Sequence, residues 1–347
     1  MGGSQKVFSS VKSFSQRGRL LTKTELQTLA ESRDLEELLT RIKNTKYADA
    51  VSKLQKPFTA GKIESALRSD LADTHYSIAR TAGQSDVLDA YYLKFIISNL
   101  KLILKGKALG KSQEEIEPHL NLHAEELVKQ RDIILKALVA KDLEEAVASL
   151  ATIEFGDEVA KAVALYNEKK NIQVFDVFLD KILYQQLGRA IRNSRDRDLM
   201  RLAGMDIDFY NIMSILRGKF WGLDEEQIKN LIVTQTPSIP KDLLGKMMSA
   251  DSVKSVFDEL ASTRYRELAP QTENDIEAIS EFEHSFEMAI YKAVNRSFSK
   301  MFNFSTIVGI TKLIAYEVRN IAAIAFAVEQ KIPPQTTMSR LIIESEK

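Results

Sequence analysis

The chain has 347 residues with 48 basic and 48 acidic side chains, so its formal charge is zero and nothing favours nucleic acid as the main partner. It has no cysteine, which excludes disulfides, a thiol nucleophile and thiolate metal sites. At 44% hydrophobic residues it can bury a sizeable core, yet no apolar run approaches the roughly 18 residues a membrane span needs.

Helical signals begin early. The opening MGGSQKVFSSVKSF has no apolar core of signal-peptide length. Asp34 with Glu37 sets an N-cap pattern before Leu35, Leu38, Leu39 and Ile42. Ile63, Leu67, Leu71 and Ile78 form an apolar stripe at helical spacing. Ser112 with Glu115, Asp142 with Glu145, and Asp224 with Gln227 repeat the capping pattern. Val174, Phe178, Ile182 and Leu187 form a further stripe. Residues 272–300 and 305–330 read as two long helices. Breaks are expected at Pro57 to Gly61, near Gly83, around Gly204, at Pro237 to Pro240, at Pro270 and at Pro333-Pro334. Sustained period-two alternation is absent, so the expected fold class is all-α.

An internal repeat organises these helices. Residues 99–116 and 211–228 align without a gap at an offset of 112, with eight of 18 positions identical. Chance predicts on the order of one match. The shared residues are Asn99/Asn211, Ile103/Ile215, Leu104/Leu216, Gly106/Gly218, Lys107/Lys219, Gly110/Gly222, Glu114/Glu226 and Ile116/Ile228. We read the pattern as a helix ending in a cation, a first glycine as left-handed C-cap, a second closing a tight loop, and a capped second helix. Thr45-Lys-Tyr47 and Thr263-Arg-Tyr265 mark a later point of the unit, with Ile153-Glu-Phe155 a weaker middle copy. Arg17-Gly18-Arg19 is an early degraded turn, and Glu317 to Ile324 a late helix about one period after Asn211. The expectation is three similar helical-bundle domains in a pseudo-threefold, funnel-like arrangement. They would span 1–85 plus 300–347, 86–190 and 191–299, the first closed by both ends of the chain.

Several sharper motifs dissolve on inspection. GKALGKS at 106–112 has three residues where a P-loop needs four, follows a helix, and has the repeat copy GKFWGLD without Lys-Ser. It reads as a structural turn. His119 and His123 have the spacing of two ligands on one helical face, but without HExxH they read as a surface pair. Glu273, Asp275, Glu277, Glu281, Glu283 and Glu287 read as a solvated face, with a contact surface for a basic partner as the minority reading. No catalytic, cofactor or metal residues are expected. The cations Arg17, Arg19, Lys105, Lys107, Arg217 and Lys219 recur at the turns. Helix-dipole complementarity accounts for them, and partner contact around one rim is the functional alternative.

The paired Asn-(Leu/Ile)-x-x-Ile-Leu-(Lys/Arg)-Gly-Lys turns, the Phe8 to Leu21 opening, the Thr-x-Tyr markers and the Tyr316-Glu-Val-Arg-Asn320 helix carry a resemblance. The chain resembles the central-stalk C subunit of A-type and V-type rotary ATPases, the counterpart of the eukaryotic V-ATPase d subunit. Val11 departs from the pattern, standing where the later copies have Asn, and the last helix lacks a Gly-Lys turn. The resemblance implies a non-catalytic protein, present in single copy and peripheral to the cytoplasmic face of the membrane. It would couple the rotating shaft subunits of the headpiece to the membrane proteolipid ring, in ATP synthesis or ion pumping. Two readings from other classes compete with it: a helical-repeat adaptor binding partner helices in a central groove, and an enzyme with a site in a central cavity.

Overall fold

A computed structural model describes residues 3–129, 131–151, 156–234 and 239–344. Among these residues every regular element is helical. The α-helices are α1 (Gly3–Arg17), α2 (Lys23–Ala30), α3 (Leu35–Ile42), α4 (Ala48–Val51), α5 (Ala60–Ala82), α6 (Asp86–Ala108), α7 (Gln113–Ile116), α8 (Leu122–Val128), α9 (Arg131–Val139) and α10 (Leu143–Leu150). They continue with α11 (Gly156–Lys169), α12 (Val174–Ser194), α13 (Arg197–Phe220), α14 (Glu225–Leu231), α15 (Lys241–Ser249), α16 (Val253–Glu259), α17 (Asp275–Ser297), α18 (Phe304–Glu329) and α19 (Pro334–Met338). No described helix is long and apolar enough to cross a membrane, α18 included.

The residues form two compact units. The first joins residues 1–85, 119–129 and 291–347, and so contains both ends of the chain; the second holds residues 86–118 and 130–290. In the first unit α18 is the axial helix, packed against α5, α1, α2 and α3. It is apolar nearly all round, burying Ile307, Ile310, Leu313, Ile314, Val318, Ile321 and Ile324, as an interior helix must. Buried His75 of α5 meets the Thr311 carbonyl oxygen of α18 at 2.8 Å. Glu329 at the end of α18 accepts from the Ala60 amide at the start of α5, at 3.0 Å. Helix α8 packs on α5, where His123 Nε2 lies 2.8 Å from Asp73.

The second unit is built on α6, α11, α12 and α13. Lys101 pairs with Asp180 at 2.7 Å, tying α6 to α12. The Tyr210 hydroxyl donates to the Val177 carbonyl at 3.0 Å, tying α13 to α12. Lys181 is buried, bonded to the Asn230 carbonyl and paired with Glu158, and burial lowers its pKa.

The capping pattern survives into three dimensions. Asp34, Asp142 and Ser252 each sit in extended backbone and accept from the amide three residues on, starting α3, α10 and α16. They stand 108 and 110 residues apart, the same intervals as Tyr47, Phe155 and Tyr265. The break expected around Gly204 does not occur. That glycine is buried inside α13, where packing of the surrounding apolar residues outweighs a propensity cost of about 1 kcal/mol. Pro237 and the marker Ile153-Glu-Phe155 lie outside the described residues.

Candidate functional site

The repeated turn is the feature the sequence singled out. Helices α6 and α13 run through Gly106 and Gly218 to Ala108 and Phe220, so these glycines are not the caps. A Cβ on Gly106 would stand 2.6 Å from Ile116, and one on Gly218 would stand 2.7 Å from Ile228. They are glycine because the following short helix presses an isoleucine onto the backbone. The left-handed residues are instead Gly110 (φ 71°) and Gly222 (φ 67°). Each turn closes in the same Schellman pattern. Lys111 and Leu223 amides donate to the Gly106 and Gly218 carbonyls at 2.9 Å, and Gly110 and Gly222 amides to Lys107 and Lys219 at 3.0 Å. Those N–H groups are consumed within the turn, so none is left to cradle a phosphate as a P-loop would.

The same turn recurs at the end of α18 without glycine. Ile332 donates to the Ala327 carbonyl at 2.8 Å and Lys331 to Val328 at 3.2 Å, with Lys331 left-handed at φ 57°. Ala327 and buried Thr337 stand where Gly218 and Ile228 do, 109 residues earlier.

Two buried anchors accompany these turns. Asn211 on α13 donates to the Val233 carbonyl and accepts from the Val233 amide, both at 2.8 Å. Asn320 on α18 does the same to Ile342, at 2.9 and 3.0 Å. Three residues before each asparagine lies a buried carboxylate gripped by a Thr-x-Tyr marker. The Tyr265 hydroxyl donates to Asp208 at 2.6 Å, and Arg264 pairs with the same oxygen at 3.3 Å. The Tyr47 hydroxyl donates to Glu317 at 2.7 Å, Lys46 pairs with it at 2.5 Å, and the Leu21 amide donates to its other oxygen. Burial first, then the neighbouring carboxylate, raises the pKa of both tyrosines well above the ordinary phenol range. They stay protonated donors at physiological pH. In both markers the threonine hydroxyl accepts from the tyrosine amide. The middle copy has Ile96 at the acid position and Phe155 at the tyrosine position, so acid and hydroxyl are missing together.

The six turn cations divide. Lys105 pairs with Asp176 at 2.5 Å and Arg217 with Glu283 at 3.5 Å. Arg17 lies over the Phe298 ring, 4.8 Å from its centroid, and donates to the Asn295 side-chain oxygen. Lys107 is buried, Lys219 half-buried and Arg19 exposed, and among the described residues none of the three has a carboxylate within ion-pair distance. On α17, Glu283 faces Arg217 and Glu287 is buried, while Asp275, Glu277 and Glu281 are exposed. Among the described residues no cluster of His, Asp or Glu is arranged to hold a metal.

The asparagine anchors, the carboxylate clamps and the third turn were not foreseen from the sequence. One signal was present: an acid followed by asparagine three residues on, at 208/211 and again at 317/320, one period apart.

A sequence profile of the ATP synthase (C/AC39) subunit family matches residues 11–340. The A-type ATP synthase C subunit of Methanocaldococcus jannaschii is 28% identical over 94% of this chain and 84% of its own length. The protein of that name from Pyrococcus horikoshii is 25% identical, covering 91% of this chain and 85% of its own. That from Haloferax volcanii is 25% identical over 99% of both. With the match running from α1 to the segment after α19, the chain belongs to the ATP synthase (C/AC39) subunit family.

Proposed function

We propose that this chain couples the rotating shaft of the soluble headpiece to the membrane proteolipid ring of an A/V-type ATP synthase. Membership of the family makes it a non-catalytic member of such a membrane-associated complex. The step to a torque coupler rests on one observation: the repeated turns are spanned by buried polar anchors, Asn211 on Val233 and Asn320 on Ile342, which tie each long helix to the segment beyond its turn. A part that transmits torque must not shear between its helices, and bonded anchors in close-packed helical interiors resist that.

In this reading the chain is organised as three related modules, residues 1–85 with 300–347, 86–190 and 191–299, in pseudo-threefold arrangement. It is a single-copy peripheral component on the cytoplasmic side. Of the six turn cations, Arg19 and Lys219 are best suited to touch a partner. Lys105 and Arg217 are already paired within the fold. Reversal to Glu at Arg19 and Lys219 tests the contact, because neither leaves a buried charge behind. Recovery of the double variant with the solubilised complex should fall severalfold while its melting temperature stays put. Undiminished recovery would remove these residues from the interface. Absence of the wild-type chain from the purified complex would refute the coupling role itself.

A further inference from the structure

The first unit carries a corner of unusual composition. Residues 1–24, 74–85 and 291–316 contain ten Lys and Arg and no Asp or Glu, in a chain whose totals are equal. The fold gathers these segments. Helix α1 packs on α18 and on the end of α5. Lys12 donates to the hydroxyls of Ser77 and Thr81 at 3.1 and 3.3 Å, and Phe14 meets Phe298 edge-on at 5.2 Å. The partners of Lys12 and Arg17 are thus neutral oxygens and a ring rather than carboxylates.

Helix α1 is also inside out. Its serines Ser9, Ser10 and Ser13 are buried, while Val7, Phe8 and Val11 are 45%, 63% and 51% exposed. Ser10 accepts from the Phe302 amide at 3.0 Å and so helps to hold the turn before α18, where Phe302 is left-handed at φ 61°. A bulky residue in that conformation is strained by about 1 kcal/mol or more, yet Met301 and Phe302 are presented to solvent. Serine-lined packing places α1 close to α18 and, among the described residues, leaves the apolar edge exposed.

We propose that this corner docks on an anionic lipid surface, with Val7, Phe8, Val11, Met301 and Phe302 entering the headgroup boundary. A helix edge is convex, so it suits a deformable interface better than a peptide that needs a groove. Apolar side chains on a segment with cations and no acids are the composition of an interfacial helix. The family assembles on a membrane, but this contact is independent of which subunits the chain couples.

The test is sedimentation of the purified full chain with phosphatidylglycerol–phosphatidylcholine vesicles and with phosphatidylcholine vesicles alone. Binding is expected to the anionic vesicles only, weakening with salt. Phe8→Ser with Val11→Ser should lower partition at least about tenfold without moving the melting temperature, since both side chains are exposed. No binding to anionic vesicles at low salt overturns the proposal, as does unchanged partition of the double variant. If vesicles fail while the double variant is lost from the detergent-solubilised complex, the corner is a protein contact and the lipid assignment falls.

Discussion

Helix α13 with α14, and α18 with α19, are the same device built from different residues. Asp208 matches Glu317, Asn211 matches Asn320, Gly218 matches Ala327, Gly222 matches Lys331 and Ile228 matches Thr337, all 109 residues apart. The backbone bonds of the turn and the asparagine anchor are the same in both. What varies is volume and conformational ease. The α13 turn uses glycine against isoleucine and a glycine at the left-handed position. The α18 turn has alanine and threonine, both buried, at the matching positions and tolerates a left-handed lysine. Buried polar bonds are thus kept where losing one strands its partner, and side-chain volume is traded where a neighbour can compensate.

Removing the carboxylates should have the largest effect. Glu317→Ala leaves Lys46, the Tyr47 hydroxyl and the Leu21 amide without their acceptor, and Asp208→Ala strips Arg264 and the Tyr265 hydroxyl. Each should cost about 3–5 kcal/mol in denaturant unfolding. A cost below about 1 kcal/mol at one site would show that the two clamps are not equivalent.

Next come the close-packed positions, where the two changes should cost stability for different reasons. Gly218→Ala drives a methyl to within 2.7 Å of Ile228 and should cost about 1–3 kcal/mol. Combining it with Ile228→Thr should recover part of that in a double-mutant cycle, reproducing the α18 pairing. Ala327→Gly relieves nothing and should cost about 1 kcal/mol through helix propensity alone. Strict additivity of the first pair would break the idea of compensating volumes.

The smallest effects lie at the left-handed residues. Gly222→Ala should destabilise by about 1 kcal/mol, whereas Lys331→Gly should be neutral or stabilise by up to about 1 kcal/mol. Matching losses at both would mean that Lys331 contributes through its side chain rather than merely enduring its backbone.

Local features were legible in the sequence because they obey local rules. The capping residues Asp34, Asp142, Ser112 and Asp224 announced their helices, and the gapless match at 99–116 and 211–228 exposed the repeat. The role of Gly106 and Gly218 was misread because a contact with Ile116 or Ile228, ten residues on, looks in sequence like a cap. The third turn was hidden because Lys331 adopts a conformation that its residue type does not advertise. The clamps were hidden because Tyr47 and Glu317 are 270 residues apart, beyond any periodicity argument.

That separation has a consequence during synthesis. The second unit is assembled from residues 86–118 and 130–290, so all its parts exist once residue 290 has left the ribosome. The first unit has no axis until α18 emerges. Lys46, Tyr47 and the apolar face of α3 must wait through more than two hundred further residues for their partners. The nascent chain therefore carries an unfinished, sticky leading segment for most of its translation, and chaperone contacts should concentrate there rather than on the middle of the chain.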